Sequence, residues 1–378
     1  MAKNKNSKLL NLLSGSFGFT LISIFIGLII GAIVLSIAGF NPIEAYGVMF
    51  KGVFSKPKYI AYAIIYATPL MITGLSVAFA FRTGLFNIGA EGQYIIGALV
   101  AALSGYFLKL PPIIHVLVIL FVAALTAGLW GGIAGYLKAR FGVHEVISTI
   151  MLNWVAFYLN NYIVMLDGFR RPQSETSYDI LKTASIEILG NWKISDTGRE
   201  WLANYPFLAD AMRAPVNLGI IIAILLAVLI SFILNKSTLG YQLRAVGFNK
   251  YAAEYGGINV QKSILVSMII AGALAGLAGA IQVMGVTKNV AVLAAMEGYG
   301  FNGIAVSLIG GNTAIGSIFG GLLFGILQYG GPKIQSALQA PSEVINIVIG
   351  TIVFFIAIPK FIKMVLLLRK KRGEQFVR

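Results

Sequence analysis

From Thr68 to Ala98 the chain reads TPLMITGLSVAFAFRTGLFNIGAEGQYIIGA, which places Arg82, Asn87, Glu91 and Gln93 inside an otherwise apolar run. A charged side chain at membrane depth costs at least ~2.5 kcal/mol, so an intramembrane glutamate marks a functional site whose partner must be named. Gly84, Gly89 and Gly92 interrupt the run. That spacing predicts a broken helix or re-entrant turn over 82–93, with freed backbone groups facing protein or a water-filled path rather than lipid. Such a segment suits a transport path. Two other roles fit the same residues: Glu91 and Arg82 neutralising each other at a helix interface, or Glu91 capping a half-helix.

The elements that must position these groups follow from composition. The chain is 58% hydrophobic and 11% charged, with 43 glycines in 378 residues and a mean hydropathy of +0.84, which is the balance of a multi-span membrane protein. Cysteine is absent, which removes disulfides, thiolate metal sites and cysteine nucleophiles.

Windows of about 20 apolar residues stand at Phe19–Ala38, Ile60–Phe81, Ile113–Leu137, Ile147–Val164, Leu218–Leu234, Ser263–Met284 and Val344–Ile362. Shorter, glycine-broken ones are Tyr94–Leu108, Phe301–Gly310 and Ala314–Tyr329. The expected fold is therefore all-α, a single transmembrane domain over 1–378 with about ten helices. The first run is longer than a signal-peptide core and lacks a convincing cleavage site, so it is kept as a span.

Ten crossings put both termini on one side. With the N-terminus inside, the inner segments collect 17 of the 29 basic residues and four of the 14 acidic ones. The formal charge of +15 and pI near 9.8 thus follow the positive-inside rule, N-in and C-in. No soluble basic face interleaved with aromatics is present, which argues against nucleic acid as a partner. The run Arg369–Arg372 suits contact with anionic lipid headgroups.

Two loops stand out. The outer one, 165–217, has mixed charge and carries Trp192, Trp201 and Pro206; it suits a small cap, a docking surface or a packed surface loop. The inner one, 235–262, holds a predicted short helix Lys250–Tyr255, with Asn249 as N-cap and Gly256–Gly257 as a left-handed stop. A rigid helix there is a handle by which another protein can move the bundle, or else an amphipathic helix lying on lipid.

At this point the residues resemble a known family. NIGAEGQ (Asn87–Gln93) after FRTGLF is similar to the signature of permease subunits of bacterial ABC importers for nucleosides and simple sugars. KARFGVHEVISTIMLNW (Lys138–Trp154), GYQLRAVGFNKYAAEYGGINV (Gly240–Val260) and GYGFNGIAVSLIGGNTAIG (Gly298–Gly316) extend the resemblance over nearly the whole chain. The combination with VHEVISTIMLN is most similar to the nucleoside branch. The resemblance implies a multi-pass subunit of the bacterial plasma membrane, not itself an enzyme. It also implies a second permease, expected as a sister chain in a heterodimer, a cytoplasmic ATPase and an extracytoplasmic substrate-binding lipoprotein. Arg244 to Gly257 would then be the segment docking on the ATPase, with Arg244, Gly247, Asn249, Ala252, Ala253 and Gly256 as its candidate residues.

Other motifs narrow the chemistry. No G-x-x-x-x-G-K-[ST] occurs, so no cofactor is expected on this chain, and ATP and magnesium belong to the partner ATPase. Gly298–Gly303 fits G-x-G-x-x-G but lacks the strand and βαβ context of a dinucleotide site. His144-Glu145 has no second histidine nearby and fails as a zinc motif. GxxxG pairs at Gly27/Gly31, Gly128/Gly132, Gly131/Gly135, Gly272/Gly276, Gly316/Gly320 and Gly321/Gly325 favour close helix approach. A weak internal echo links 82–93 with Gly298–Gly316, as in transporters whose halves place broken helices around a shared site.

A nucleoside is neutral, with ring faces and many donors and acceptors, so its path calls for aromatic surface and amides. Asn87, Asn153, Phe301 and Asn302 fit that need, with Asn160 and Asn161 as secondary candidates. Glu91 could accept from ribose hydroxyls or hold the broken segment by accepting backbone N–H groups. Each of these polar residues could equally make an interhelical hydrogen bond. The competing functions are a permease for ribose-like sugars or another small solute, and an ion-gradient-driven secondary transporter. The latter has no use for the NKSTLGYQLRAVG loop.

Overall fold

Long apolar stretches without water to satisfy their backbone can only be helical in a membrane, and that is the architecture of the computed structural model, which describes residues 16–357. The chain runs through α1 (Ser16–Ile37), α2 (Pro42–Phe54), α3 (Pro57–Arg82), α4 (Ala90–Phe107), α5 (Pro112–Phe141) and α6 (Glu145–Val164). It continues through α7 (Asp196–Ala203), α8 (Pro206–Ala211), α9 (Gly219–Lys236), α10 (Thr238–Phe248), α11 (Lys250–Tyr255) and α12 (Val260–Gln282). The last elements are α13 (Tyr299–Ile309), α14 (Ala314–Leu338) and α15 (Ser342–Ala357). Among the described residues β pairing is confined to isolated bridges. The N-terminal lysines, the run Arg369–Arg372 and the end of the window Val344–Ile362 lie outside the described residues.

Five of these segments are long and apolar enough to cross a membrane: Pro57–Arg82, Pro112–Phe141, Gly219–Lys236, Val260–Thr287 and Ala314–Leu338. A sixth is obtained if Ile22–Ile37 and Pro42–Phe54, bent by 118°, count as one. The bend has a local cause. Gly39 adopts φ +86°, Asn41 Oδ1 accepts the Ile43 N–H at 3.0 Å, and Pro42 opens α2, where its missing donor costs nothing. The protein is thus a polytopic helical membrane protein with broken elements.

The backbone divides into two compact units. One is built from α1, α2, the end of α14 and α15; the other spans Phe54–Ile326. In the first, a Cβ added at Gly27 would meet the Ile352 backbone at 2.9 Å, so that glycine serves the close approach of α1 and α15. In the second, Gly128, Gly131, Gly132 and Gly135 of α5 face Leu265, Met268, Ile269 and Gly272 of α12. Three of the glycine pairs read from the sequence therefore meet in one seam, where small residues let backbones pack closely.

The 165–217 segment is tied to the bundle rather than standing away from it. Ser177 N–H donates to Val290 O at 2.8 Å, Leu181 N–H to Gly105 O at 2.8 Å and Ile186 N–H to Met284 O at 3.2 Å. Asp210 of α8 accepts the Lys58 N–H at 3.1 Å and so caps α3. Lys288, in the left-handed region at φ 64°, donates to Ser185 Oγ at 2.7 Å and lies 3.5 Å from Glu187. Burial draws its ammonium below the usual lysine range, and Glu187 offsets part of that shift.

Candidate functional site

The break expected after Arg82 forms. The Thr83 and Gly84 N–H groups donate to Ala80 O and Phe81 O, Gly84 turns left-handed at φ +72°, and α4 begins only at Ala90. A break inside a bundle leaves backbone groups without helical partners, and these must be matched by side chains. Asn87 and Gln93 pair with each other across the break: Asn87 Nδ2 donates to Gln93 Oε1 at 2.8 Å, and Gln93 Nε2 donates to Asn87 Oδ1 at 3.2 Å. Asn153, on α6, clamps the same turn from the side. Its Oδ1 accepts the Gly92 N–H at 2.8 Å while its Nδ2 donates to Ile88 O at 3.1 Å. Asn87, Gln93 and Asn153 are all buried.

Glu91 is fully buried and reaches a different helix. Its Oε1 accepts the Gly298 N–H at 2.7 Å. Its Oε2 accepts the Gly300 N–H at 2.7 Å and the Phe301 N–H at 3.4 Å. Gly298 is the N-cap of α13, left-handed at φ +83° and with no side chain of its own to cap the helix. The carboxylate therefore satisfies the Gly300 and Phe301 donors of the first turn, besides that of Gly298, and sits at the positive end of the helix. Arg82 is elsewhere: its Nε donates to Asn312 O at 2.9 Å. The Glu91–Arg82 pairing weighed from sequence does not form.

Helix α13 has 11 residues, roughly 16 Å at 1.5 Å per residue, about half of a ~30 Å hydrocarbon core. It is a half-helix whose start is placed inside the bundle. Thr73 Oγ1, on α3, donates to Tyr299 O at 2.9 Å. Added Cβ atoms at Gly300 and Gly303 would run into the Glu91 backbone and into Thr73 respectively. The glycines that imitate a dinucleotide fingerprint thus serve the close packing of α13 against α3 and α4.

Two expected residues differ from the others in exposure. Phe301 is 39% exposed, and Asn302 is partly exposed with no side-chain hydrogen bond among the described residues. Beside them is Glu297, which the sequence analysis did not single out. It is exposed, and its Oε2 accepts the hydroxyl of buried Tyr94 at 3.1 Å. The Tyr94 ring packs on Tyr299 with centroids 5.1 Å apart. The available signal was an acid immediately before Gly298. Asn160 and Asn161 hold the segment leading into this turn: Asn160 Nδ2 donates to Ala291 O at 2.9 Å, and Asn161 Oδ1 accepts the Leu293 N–H at 2.8 Å.

In the 235–262 segment, α11 spans Lys250–Tyr255 with Asn249 Oδ1 accepting the Tyr251 and Ala252 N–H groups, each at 3.0 Å. The left-handed stop is at Gly257, φ +79°, not at Gly256. The segment also holds α10, which was expected as loop. Arg244 Nε donates back to Gly240 O at 3.3 Å along α10. Ala253, expected on a docking surface, is 5% exposed and faces inward. The exposed side chains are Phe248, Tyr251 and Tyr255, at 92%, 84% and 97%. Gly247 rests on the 82–84 turn, where a Cβ would be driven into the Arg82 carbonyl oxygen. From the other side, a Cβ at Gly84 would lie 3.3 Å from the Gly247 Cα.

A family model described as the permease component of branched-chain amino acid transport systems matches residues 59–357. The chain belongs to this permease family. As a permease it is a transport component rather than an enzyme. It is 42% identical over 353 residues to the guanosine ABC transporter permease protein NupP of Bacillus subtilis, covering 93% of this chain and 96% of that relative. It is 35% identical over 370 residues to the nucleoside ABC transporter permease protein NupB of Lactococcus lactis, covering 94% and 97%. It is also 30% identical over 353 residues to the glucose ABC transporter permease protein TsgB13 of Haloferax volcanii, covering 92% and 89%. No solved structure matches the chain significantly.

Proposed function

We propose that this permease forms the translocation path of an ATP-driven nucleoside importer in the bacterial plasma membrane. The observation that carries the proposal is the 42% identity, nearly end to end, with a permease whose name specifies guanosine. The meeting of two broken segments, 82–93 and 298–302, supports it, since transporters bind solute where discontinuous helices converge. In this proposal the chain crosses the membrane about ten times, N-in and C-in.

Asn87, Glu91 and Asn153 frame the path by holding the two breaks, and Phe301 and Asn302 face the solute. An aromatic face and an uncommitted amide suit a neutral heterocycle with donors and acceptors. A cytoplasmic ATPase would dock on α10 and α11, around Arg244, Gly247, Asn249, Ala252, Ala253 and Gly256, with Phe248, Tyr251 and Tyr255 as aromatic anchors of the type that dominates interfaces. ATP and magnesium bind that partner. Movement of α10 reaches the path through the Gly247 contact with the 82–84 turn, shifting an equilibrium between outward and inward openings. A second permease, expected as a sister chain, completes the path. An extracytoplasmic lipoprotein delivers the nucleoside near 165–217, where Trp192, Trp201 and Phe207 are exposed.

The test is reconstitution with a cognate ATPase, second permease and lipoprotein. Nucleoside-stimulated ATP hydrolysis and uptake are expected from the complete set only; gradient-driven uptake by the lone chain would overturn the proposal. The 30% identity with a glucose permease favours a sugar as the second reading, and the same vesicles loaded with glucose or ribose decide between them.

A further inference from the structure

The buried polar side chains Asn87, Glu91, Gln93 and Asn153 around the two breaks are committed to protein partners, whereas Glu297 is committed at one oxygen only. The phenol of buried Tyr94 holds Oε2 from behind at 3.1 Å, while Oε1 has no protein donor among the described residues and the side chain is exposed. A carboxylate is an acceptor at both oxygens, so the open Oε1 is available to a donor from outside the protein. Three neighbours define what that donor belongs to. The Tyr299 ring packs against Tyr94, Phe301 presents an open aromatic face, and Asn302 reaches back over the turn, its Nδ2 3.6 Å from where a Gly298 Cβ would stand. The turn is tied down by Glu91, which accepts the Gly298 and Gly300 N–H groups at 2.7 Å.

The geometry points to Glu297 as a solute-binding residue of the path, accepting a pair of adjacent donors on a neutral solute whose ring lies against Tyr299. Two parts of a nucleoside carry such a pair: the vicinal ribose hydroxyls, and the N1–H and N2–H edge of a guanine-type base. Because Tyr94 occupies only one lone-pair direction, the carboxylate keeps capacity for both donors, and a charged acceptor strengthens each bond. Tyr94 is a positioning residue, acting through Glu297. This assignment rests on the nucleoside-importer reading above.

The experiment uses the complete importer in proteoliposomes, with lipoprotein saturated by each solute in turn: guanosine, adenosine and 2′,3′-dideoxyguanosine. Glu297→Gln keeps size and one acceptor but replaces the other oxygen by a donor. Transport of solutes holding the recognised pair is expected to fall about tenfold or more relative to those lacking it. If the base edge is recognised, both guanine nucleosides fall and adenosine is spared. If the diol is recognised, guanosine and adenosine fall together and the dideoxy compound is spared. Tyr94→Phe is expected to move the same ratio in the same direction by less. Equal rates for all solutes in Glu297→Gln and wild type, a uniform loss across all three, or failure of Glu297→Gln to co-purify with its partners would each overturn the assignment. Absence of nucleoside transport by the wild-type importer would instead overturn the underlying reading.

Discussion

The carboxylate of Glu91 caps a half-helix that starts 207 residues further along the chain, with its Oε1 2.7 Å from the Gly298 backbone nitrogen and its Oε2 2.7 Å from that of Gly300. This one side chain joins the two interrupted segments of the protein. It also settles which of its possible partners an intramembrane glutamate has taken: backbone donors rather than Arg82.

Glu91→Gln is therefore expected to destabilise the permease, although a glutamate using a single acceptor would tolerate that change. The amide NH2 must face either Gly298 or Gly300, leaving a buried donor unmatched at a cost of about 1–3 kcal/mol. Thermal unfolding of the purified protein in detergent measures this. The double variant Arg82→Gln/Glu91→Gln should melt no higher than Glu91→Gln alone; recovery of wild-type stability would mean that the two residues pair after all.

Asn87 and Asn302 should part company when changed to alanine. Asn87→Ala strands both polar atoms of buried Gln93 and should lower thermal stability by about 1–3 kcal/mol. Asn302→Ala breaks no side-chain hydrogen bond among the described residues, so its melting should stay near wild type while the competition pattern among nucleosides shifts. Unaltered competition in Asn302→Ala would remove it from the path.

The contact between α10 and the 82–84 turn is a test of coupling. Gly247→Val should push the helix off that turn, because the new Cβ meets the Arg82 carbonyl, a clash of backbone that no rotamer change relieves. Uptake should be lost while the chain still reaches the membrane and binds the ATPase through its exposed aromatics. Full transport in Gly247→Val would place the coupling route elsewhere.

Docking itself is probed at Tyr251 and Tyr255 rather than at Ala253, whose replacement by tryptophan would disturb the interior of the 235–262 segment. Tyr251→Ala or Tyr255→Ala should weaken co-purification with the ATPase, by about 2 kcal/mol if either ring is an interface anchor. Undiminished capture by both variants would return the segment to a lipid-surface role.

Topology can be read with single cysteines, since the chain has none of its own. Tyr255→Cys and Arg199→Cys, both at exposed positions, should label from opposite sides of intact cells. Arg199 is the better outer site than Lys193, whose amine is tied to Glu187 at 2.7 Å. Same-side labelling would overturn the N-in, C-in arrangement.

The helical class, the break between Arg82 and Ala90, and the Asn249-capped helix Lys250–Tyr255 were all legible in the sequence. Each depends on neighbours along the chain: apolar runs with nowhere to place unpaired backbone, glycines that permit a turn, an asparagine two and three residues from the donors it accepts. That Asn87 and Glu91 must find polar partners followed from the cost of placing them among apolar residues. What the tertiary structure alone decided was which groups meet. Glu91 capping α13, Asn153 clamping the Gly92 turn, and Gly247 seating on Arg82 join residues far apart in the chain, and no local propensity encodes such a pairing. The same holds for exposure. Helix packing buried Ala253 and left Glu297, which no motif singled out, exposed with one oxygen open, a result set by three-dimensional packing and invisible to spacing along the chain.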